Sequence, residues 1–143
     1  MKKSQSVINL SAVFLLVEAL LAILLLAVLL TGLIGSFIYG QETTLLAGER
    51  TRAVMFAGEG LEAARSIRDK NFADLTDGKH GLAIAAGHWL FAGTQDSMGP
   101  FVRSLDISSV DKNRKTVSST VVWSRGVKSQ SVSFTSRFTN WQR

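Results

Sequence analysis

The stretch VFLLVEALLAILLLAVLLTGLIG, residues 13–35, carries a single charged side chain, Glu18, in an otherwise apolar run. Working outward, the polar side chains between residues 10 and 39, tyrosine aside, are Ser11, Glu18, Thr31 and Ser36. The run therefore exceeds the roughly 20 apolar residues that carry a helix across a bilayer. A secretory signal has a shorter apolar region closed by a small-residue cleavage site, and no such site ends this run, so it predicts a retained membrane helix. Lys2 and Lys3 precede it and Arg50 is the first basic residue after it. By the positive-inside tendency this leaves the N-terminus in the cytoplasm and the bulk of the chain outside.

Downstream, QETTLLAGERTRAVMFAGEGLEAARSIRDKNF (residues 41–72) keeps a helical period but interleaves charge. Leu46, Ala53, Ala57, Leu61, Ala64 and Ile67 fall on one stripe of a 3.6-residue helix, with Glu49, Arg52, Glu59, Glu62, Arg65 and Arg68 mostly away from it. The helix is thus apolar all round in its first half and amphipathic in its second. At 1.5 Å per residue, a helix over residues 10–69 spans about 90 Å, well beyond a bilayer. Gly32, Gly35 and Gly40 cluster where the halves meet and mark the natural place for a bend or a locally melted turn; small-residue packing between membrane helices explains them equally well.

Beyond the helix the composition turns to glycine, serine and β-branched residues. TDGKHG (76–81) is turn chemistry, and strands are expected over 82–85 with 88–92 as a hairpin about Ala86-Gly87, then over 101–108, 116–124 and 130–138. In the last, Val132, Phe134 and Phe138 alternate with Ser133, Thr135 and Arg137. Phe101, Leu105 and Ile107 repeat the alternation, as do Val117, Val121 and Trp123. The short polar connections DKNRK (111–115) and RGVKS (125–129) suit hairpins and favour an antiparallel meander. Its apolar face needs a partner, and the amphipathic stripe is the element available. The predicted class is α+β: a long N-terminal helix, membrane-spanning and then amphipathic, packed on a small antiparallel β-sheet. Its divisions are 1–13, 14–40, 41–75 and 76–143.

The chain of 143 residues has no cysteine, which excludes disulfide staples, thiol catalysis and zinc–thiolate sites. Lys2 and Lys3 supply two of its five net positive charges; the rest is too mild and scattered to argue for nucleic acid. His80 and His88 lie eight positions apart, without carboxylates at ligand spacing, so no metal is expected. No glycine-rich phosphate loop follows a strand, and the serines alternate along strands rather than sitting on an elbow beside a base. No enzyme and no cofactor is expected. Lys112, Arg114 and Lys115, with Arg125, Lys128 and Arg143, form a basic patch able to touch phosphate backbones, though solvated hairpin tips look the same.

An ionised carboxylate near the centre of a membrane helix costs about 2.5–3.5 kcal/mol on insertion scales and usually has a partner. None stands within one turn of Glu18 in the sequence. The segment FLLVEALLAI (14–23) resembles the N-terminal processing and methylation motif of type IV pilins and type II secretion pseudopilins. There a leader peptidase cuts before an aromatic residue, and a glutamate stands fifth in the mature chain, as Glu18 does counting from Phe14. The resemblance implies cleavage between Val13 and Phe14 and N-methylation of Phe14. Its cationic amine would meet Glu18 of a neighbouring subunit as a filament grows. It further implies a pilin-like fold, with residues 1–13 as leader and 14–40 as the polymerisation half of the helix. The implied partners are other subunits, a prepilin peptidase/methyltransferase, the cytoplasmic membrane and assembly platform proteins. EGLEAARSIRDKNFADL (59–75) is similar to the minor-pilin group.

Two features depart from that pattern. Val13 stands where most members have glycine, so cleavage after Val13, cleavage after Ala12 and retention of the leader are all open. The usual C-terminal disulfide is missing, so closure of the sheet is expected to rest on Trp123, Phe134, Phe138 and Trp141. The expected function is a minor pilin or pseudopilin. A membrane-anchored binding module that does not polymerise and a DNA-capturing minor pilin are the alternatives.

Overall fold

A computed structural model of the chain describes Leu10–Trp141. Lys2, Lys3, Arg143 and the first nine positions of the expected leader lie outside the described residues. Helix α1 (Leu10–Lys70) is unbroken, and the chain divides after Leu46 into two compact units.

The first unit is the apolar part of α1. Among the described residues this is the one helix long and apolar enough to cross a membrane, and none of its most apolar stretch is buried. The helix continues through Gly32, Gly35 and Gly40 without a melted turn. The hydroxyls of Thr43 and Thr44 both donate to the Gly40 carbonyl at 2.9 Å, and Thr31 donates to that of Ala27 at 2.8 Å. Each is a local side-chain-to-backbone bond that keeps a polar group satisfied inside an apolar helix. A methyl group on any of the three glycines would meet nothing within 4 Å, so nothing among the described residues packs on them.

The second unit begins at Ala47. Ala53, Phe56, Ala57, Gly60, Leu61, Ala63, Ala64 and Ile67 are buried, which is the expected stripe from Ala53 onward widened by Phe56, Gly60 and Ala63. Leu46, expected on the stripe, is instead 39% exposed and belongs to the first unit. After α1, Asn71 caps a single 3₁₀ turn (Phe72–Asp74) by accepting from the Ala73 N–H at 3.1 Å.

Seven strands follow: β1 (Gly78–His80), β2 (Leu82–Ala85), β3 (His88–Phe91), β4 (Asp96–Met98), β5 (Phe101–Asp111), β6 (Arg114–Arg125) and β7 (Lys128–Thr139). All pairings are antiparallel. β1, β5, β6 and β7 lie in that order in the main sheet, with β4 also on β5, and β2–β3 form a separate hairpin. The expected meander is therefore β5–β6–β7. Two points differ from expectation. Part of TDGKHG is strand β1, because Gly78–His80 pair with Leu105–Ile107. β4 is a further strand, seated on the Phe101–Arg103 end of β5.

The side of the sheet facing α1 carries Phe101, Arg103, Leu105 and Ile107 of β5, and Val117, Ser119, Val121 and Trp123 of β6. Of the residues expected to close the sheet, Trp123 and Phe138 are buried, but Phe134 is 38% and Trp141 63% exposed. β7 is an outer strand, and its middle lies beyond the cover of the helix. The core falls into two clusters: Ala53, Phe56, Ala57, Phe101, Val121 and Trp123 in one, and a larger group around Leu61, Leu75, Leu105, Val117 and Phe138 in the other.

Candidate functional site

The site expected from sequence lies at the start of α1. Val13, Phe14 and Glu18 are all exposed, with Phe14 at 72%. Phe14 and Glu18 are four residues apart in an unbroken helix, so they share a face one turn apart. The large apolar side chains around them, among them Leu15, Leu16, Val17, Leu20 and Leu21, are exposed as well. This half of the helix thus has an apolar surface on all sides with one carboxylate set into it. Such a surface is stable only in lipid or against other apolar helices.

The expected basic patch is drawn together but largely neutralised. Lys112 is exposed in the β5–β6 turn. The Arg114 guanidinium donates to Asp111 at 2.6 Å. Lys115 is mostly buried, donating to the Leu75 carbonyl and to Asp77 at 3.1 Å. Lys112 and Lys115 border a cleft of about 520 Å³ that also takes in Asn71, Ser109, Asp111 and Asn140. Asp77 and Asp111 are held below the ordinary carboxylate value of 3.8. Hydrogen bonds from Ser109 and then from Lys115 do so for Asp77; for Asp111 the cause is first the Asn113 backbone N–H and then Arg114. Arg114 and Lys115 are paired internally, so the patch offers little free charge to a phosphate backbone beyond Lys112.

Neither histidine is placed to hold a metal with a carboxylate set. His80 bonds through Nε2 to the Thr76 carbonyl at 2.8 Å and stacks on Phe91 at 4.6 Å between centroids, while His88 opens β3 beside the hairpin turn and is exposed.

Sequence reasoning missed the polar cluster that sits between the two core groups. Arg103, 2% exposed, donates to Asp96 at 2.7 and 3.3 Å and to the Phe56 carbonyl at 3.0 Å. Its guanidinium carbon lies 4.0 Å from the centroid of the Phe56 ring, and Glu59 stands 4.0 Å away. Asp96 and Arg103 are directly opposed in the β4–β5 register, which is how three residues of β4 deliver the counter-charge. Gly60 makes room for this on the helix: a methyl group there would overlap the Ser119 hydroxyl and press on Arg103 Cδ at 3.0 Å. The signal was present in the alternation, since Arg103 occupies an inward position between Phe101 and Leu105. With the guanidinium engaged by Asp96 and the Phe56 carbonyl, the cluster fixes how helix and sheet meet, and the buried Ser119 hydroxyl beside it has no hydrogen-bond partner among the described residues.

No family model matches the chain, and no curated protein or solved structure matches it.

Proposed function

We propose that the chain is a structural subunit, a minor pilin or pseudopilin, of a type IV pilus or type II secretion-like filament. It is held in the cytoplasmic membrane with its N-terminus in the cytoplasm and assembled through its N-terminal helix. The observation that carries this reading is Glu18, the one acid on an all-round apolar, fully exposed helical surface, one turn from Phe14. Cleavage before Phe14 would supply the missing counter-charge as an α-amino group. The same cut would bring Glu18 to the first turns of the shortened helix, where a negative charge is favoured by the backbone dipole. In a bundle, the amine of one subunit and Glu18 of the next are each costly alone and neutral together, which sets register more surely than it adds stability. The partners are other subunits, a prepilin peptidase that also methylates Phe14, and the assembly platform. The chain acts as a building element rather than as an enzyme.

Glu18→Ala tests this directly. Membrane insertion should be kept or improved, and incorporation into sheared filaments should fall at least tenfold; unchanged incorporation would refute the mechanism. Val13 at the junction favours a second reading, a single-pass anchor whose β-domain binds a partner without polymerising. Intact mass separates the two: a processed subunit lacks residues 1–13 and carries an added methyl group, whereas an anchor keeps Lys2 and Lys3.

A further inference from the structure

The two sides of the main sheet end differently. On one side β5 is covered by β1 and β4, each of three residues. On the other, β7 runs for 12 residues in unbroken register with β6, and among the described residues nothing pairs with its outer side. Every second residue of such a strand turns its N–H and C=O outward, which makes a template for another strand. Natural sheets blunt long edges with proline, a bulge or a charge in mid-strand. β7 has none of these: Pro100 is the sole proline, the β6–β7 register does not shift, and residues 129–136 (SQSVSFTS) are uncharged. At this edge Val132 is only half-buried and Phe134 is exposed, both on the side facing α1. The opposite side carries hydroxyls joined to one another, Ser118 to Ser133 at 3.1 Å and to Thr135 at 2.9 Å, and Thr120 to Ser133 at 2.9 Å.

We propose that β7 is a strand-addition site, and that it receives an extended segment of a different polypeptide. Lys128 and Arg137 bracket the uncharged stretch, so charge complementarity calls for acidic residues at the ends of the guest. Val132 and Phe134 call for apolar residues at alternate positions, which would cover them, with small polar residues between. A second copy of the chain is disfavoured by charge: two β7 strands paired over residues 129–136, antiparallel or parallel, would set the cations at their ends, Lys128 and Arg137, against one another.

The test uses the full chain in detergent micelles and a labelled peptide of about eight residues, Asp-Thr-Val-Thr-Val-Thr-Val-Asp, a length typical of added strands. Fluorescence anisotropy should show saturable binding. A peptide of the same composition with its valines grouped should bind roughly tenfold more weakly, since it cannot present one apolar side. Phe134→Lys, which puts an inward charge at an exposed edge position, should weaken binding of the alternating peptide by at least tenfold while leaving the far-UV dichroism and melting of the chain unchanged. No saturation at millimolar peptide, or equal binding by the grouped peptide or by the Phe134→Lys chain, overturns the proposal. Self-association of the detergent-solubilised chain that Phe134→Lys abolishes overturns it in favour of a second copy.

Discussion

Arg103 is a full positive charge enclosed between two apolar clusters, and its environment explains how that is tolerated: a carboxylate, a backbone carbonyl and an aromatic face each take part of it. Such a pair is a weak source of stability compared with an apolar replacement of similar shape, but removing one partner strands the other. Arg103→Ala should therefore destabilise the β-domain by about 3–5 kcal/mol, measured by denaturant unfolding, because Asp96 and the Phe56 carbonyl lose their donor. Arg103→Met should cost less when combined with Asp96→Leu than when made alone; equal costs would show that the pair does not act as a unit. Arg103 went unread in the sequence because strand patterning sorts residues by polarity. A buried cation at an inward position looks like an interruption of the pattern until the strand supplying its acid is known. Asp96 lies in a three-residue strand, too short for any periodicity to mark it.

At the scale of elements, turn chemistry and period decided most of what was legible. α1 and the β5–β6–β7 meander follow from a 3.6 period and from alternation, and the β2–β3 hairpin turns at Ala86-Gly87 as its sequence implied. Ala86 has φ +49° and Gly87 φ +76°, so both central residues of that turn are left-handed. Glycine adopts that conformation at little cost, but alanine pays for its Cβ. Ala86→Gly should stabilise the domain by about 0.5–1 kcal/mol, read from the thermal midpoint, even though glycine raises the entropy of the unfolded chain. A loss of stability would mean that the turn is not in this conformation in solution. β1 was not legible for the opposite reason: Gly78 and Lys79 read as turn residues, and only their register with Asp106 and Ile107 makes them a strand. Phe134 and Trp141 were misjudged as closing residues because hydrophobicity states that a side chain can be buried, not that a helix reaches it.

At the scale of the whole molecule, pH and assembly state are the available levers. In the folded chain Asp77 and Asp111 titrate below their ordinary value of 3.8, so in acid the folded state binds fewer protons than the unfolded state. The stability they contribute is fully present above that value and is lost as pH falls through their lowered folded values. Asp77→Asn should lower stability at neutral pH and give a shallower fall below pH about 4 in an acid unfolding series; an unchanged slope would show that Asp77 is not held by Ser109 and Lys115 in solution. A helix long and apolar enough to cross a membrane was legible from composition alone, whereas a partner for Glu18 was not, since no cation stands within one turn of it in the sequence.

The hairpins of the meander close through the turns at 112–113 and 126–127, whereas helix and sheet are joined by contacts between distant parts of the chain: 47 positions separate Phe56 from Arg103, and 76 separate Glu49 from Arg125. Loop closure over such separations is slow beside the formation of local hairpins, so the β5–β6–β7 ribbon should assemble first and meet the helix afterwards. Pulse-labelled hydrogen exchange should protect amides of residues 117–122 before the fluorescence of Trp123, which packs with Ala53, Phe56 and Ala57 of the helix, reaches its buried value, and the reverse order would refute this sequence of events. The interval before docking would leave Phe101, Val121 and Trp123 without their helix, an apolar surface open to aggregation until α1 arrives.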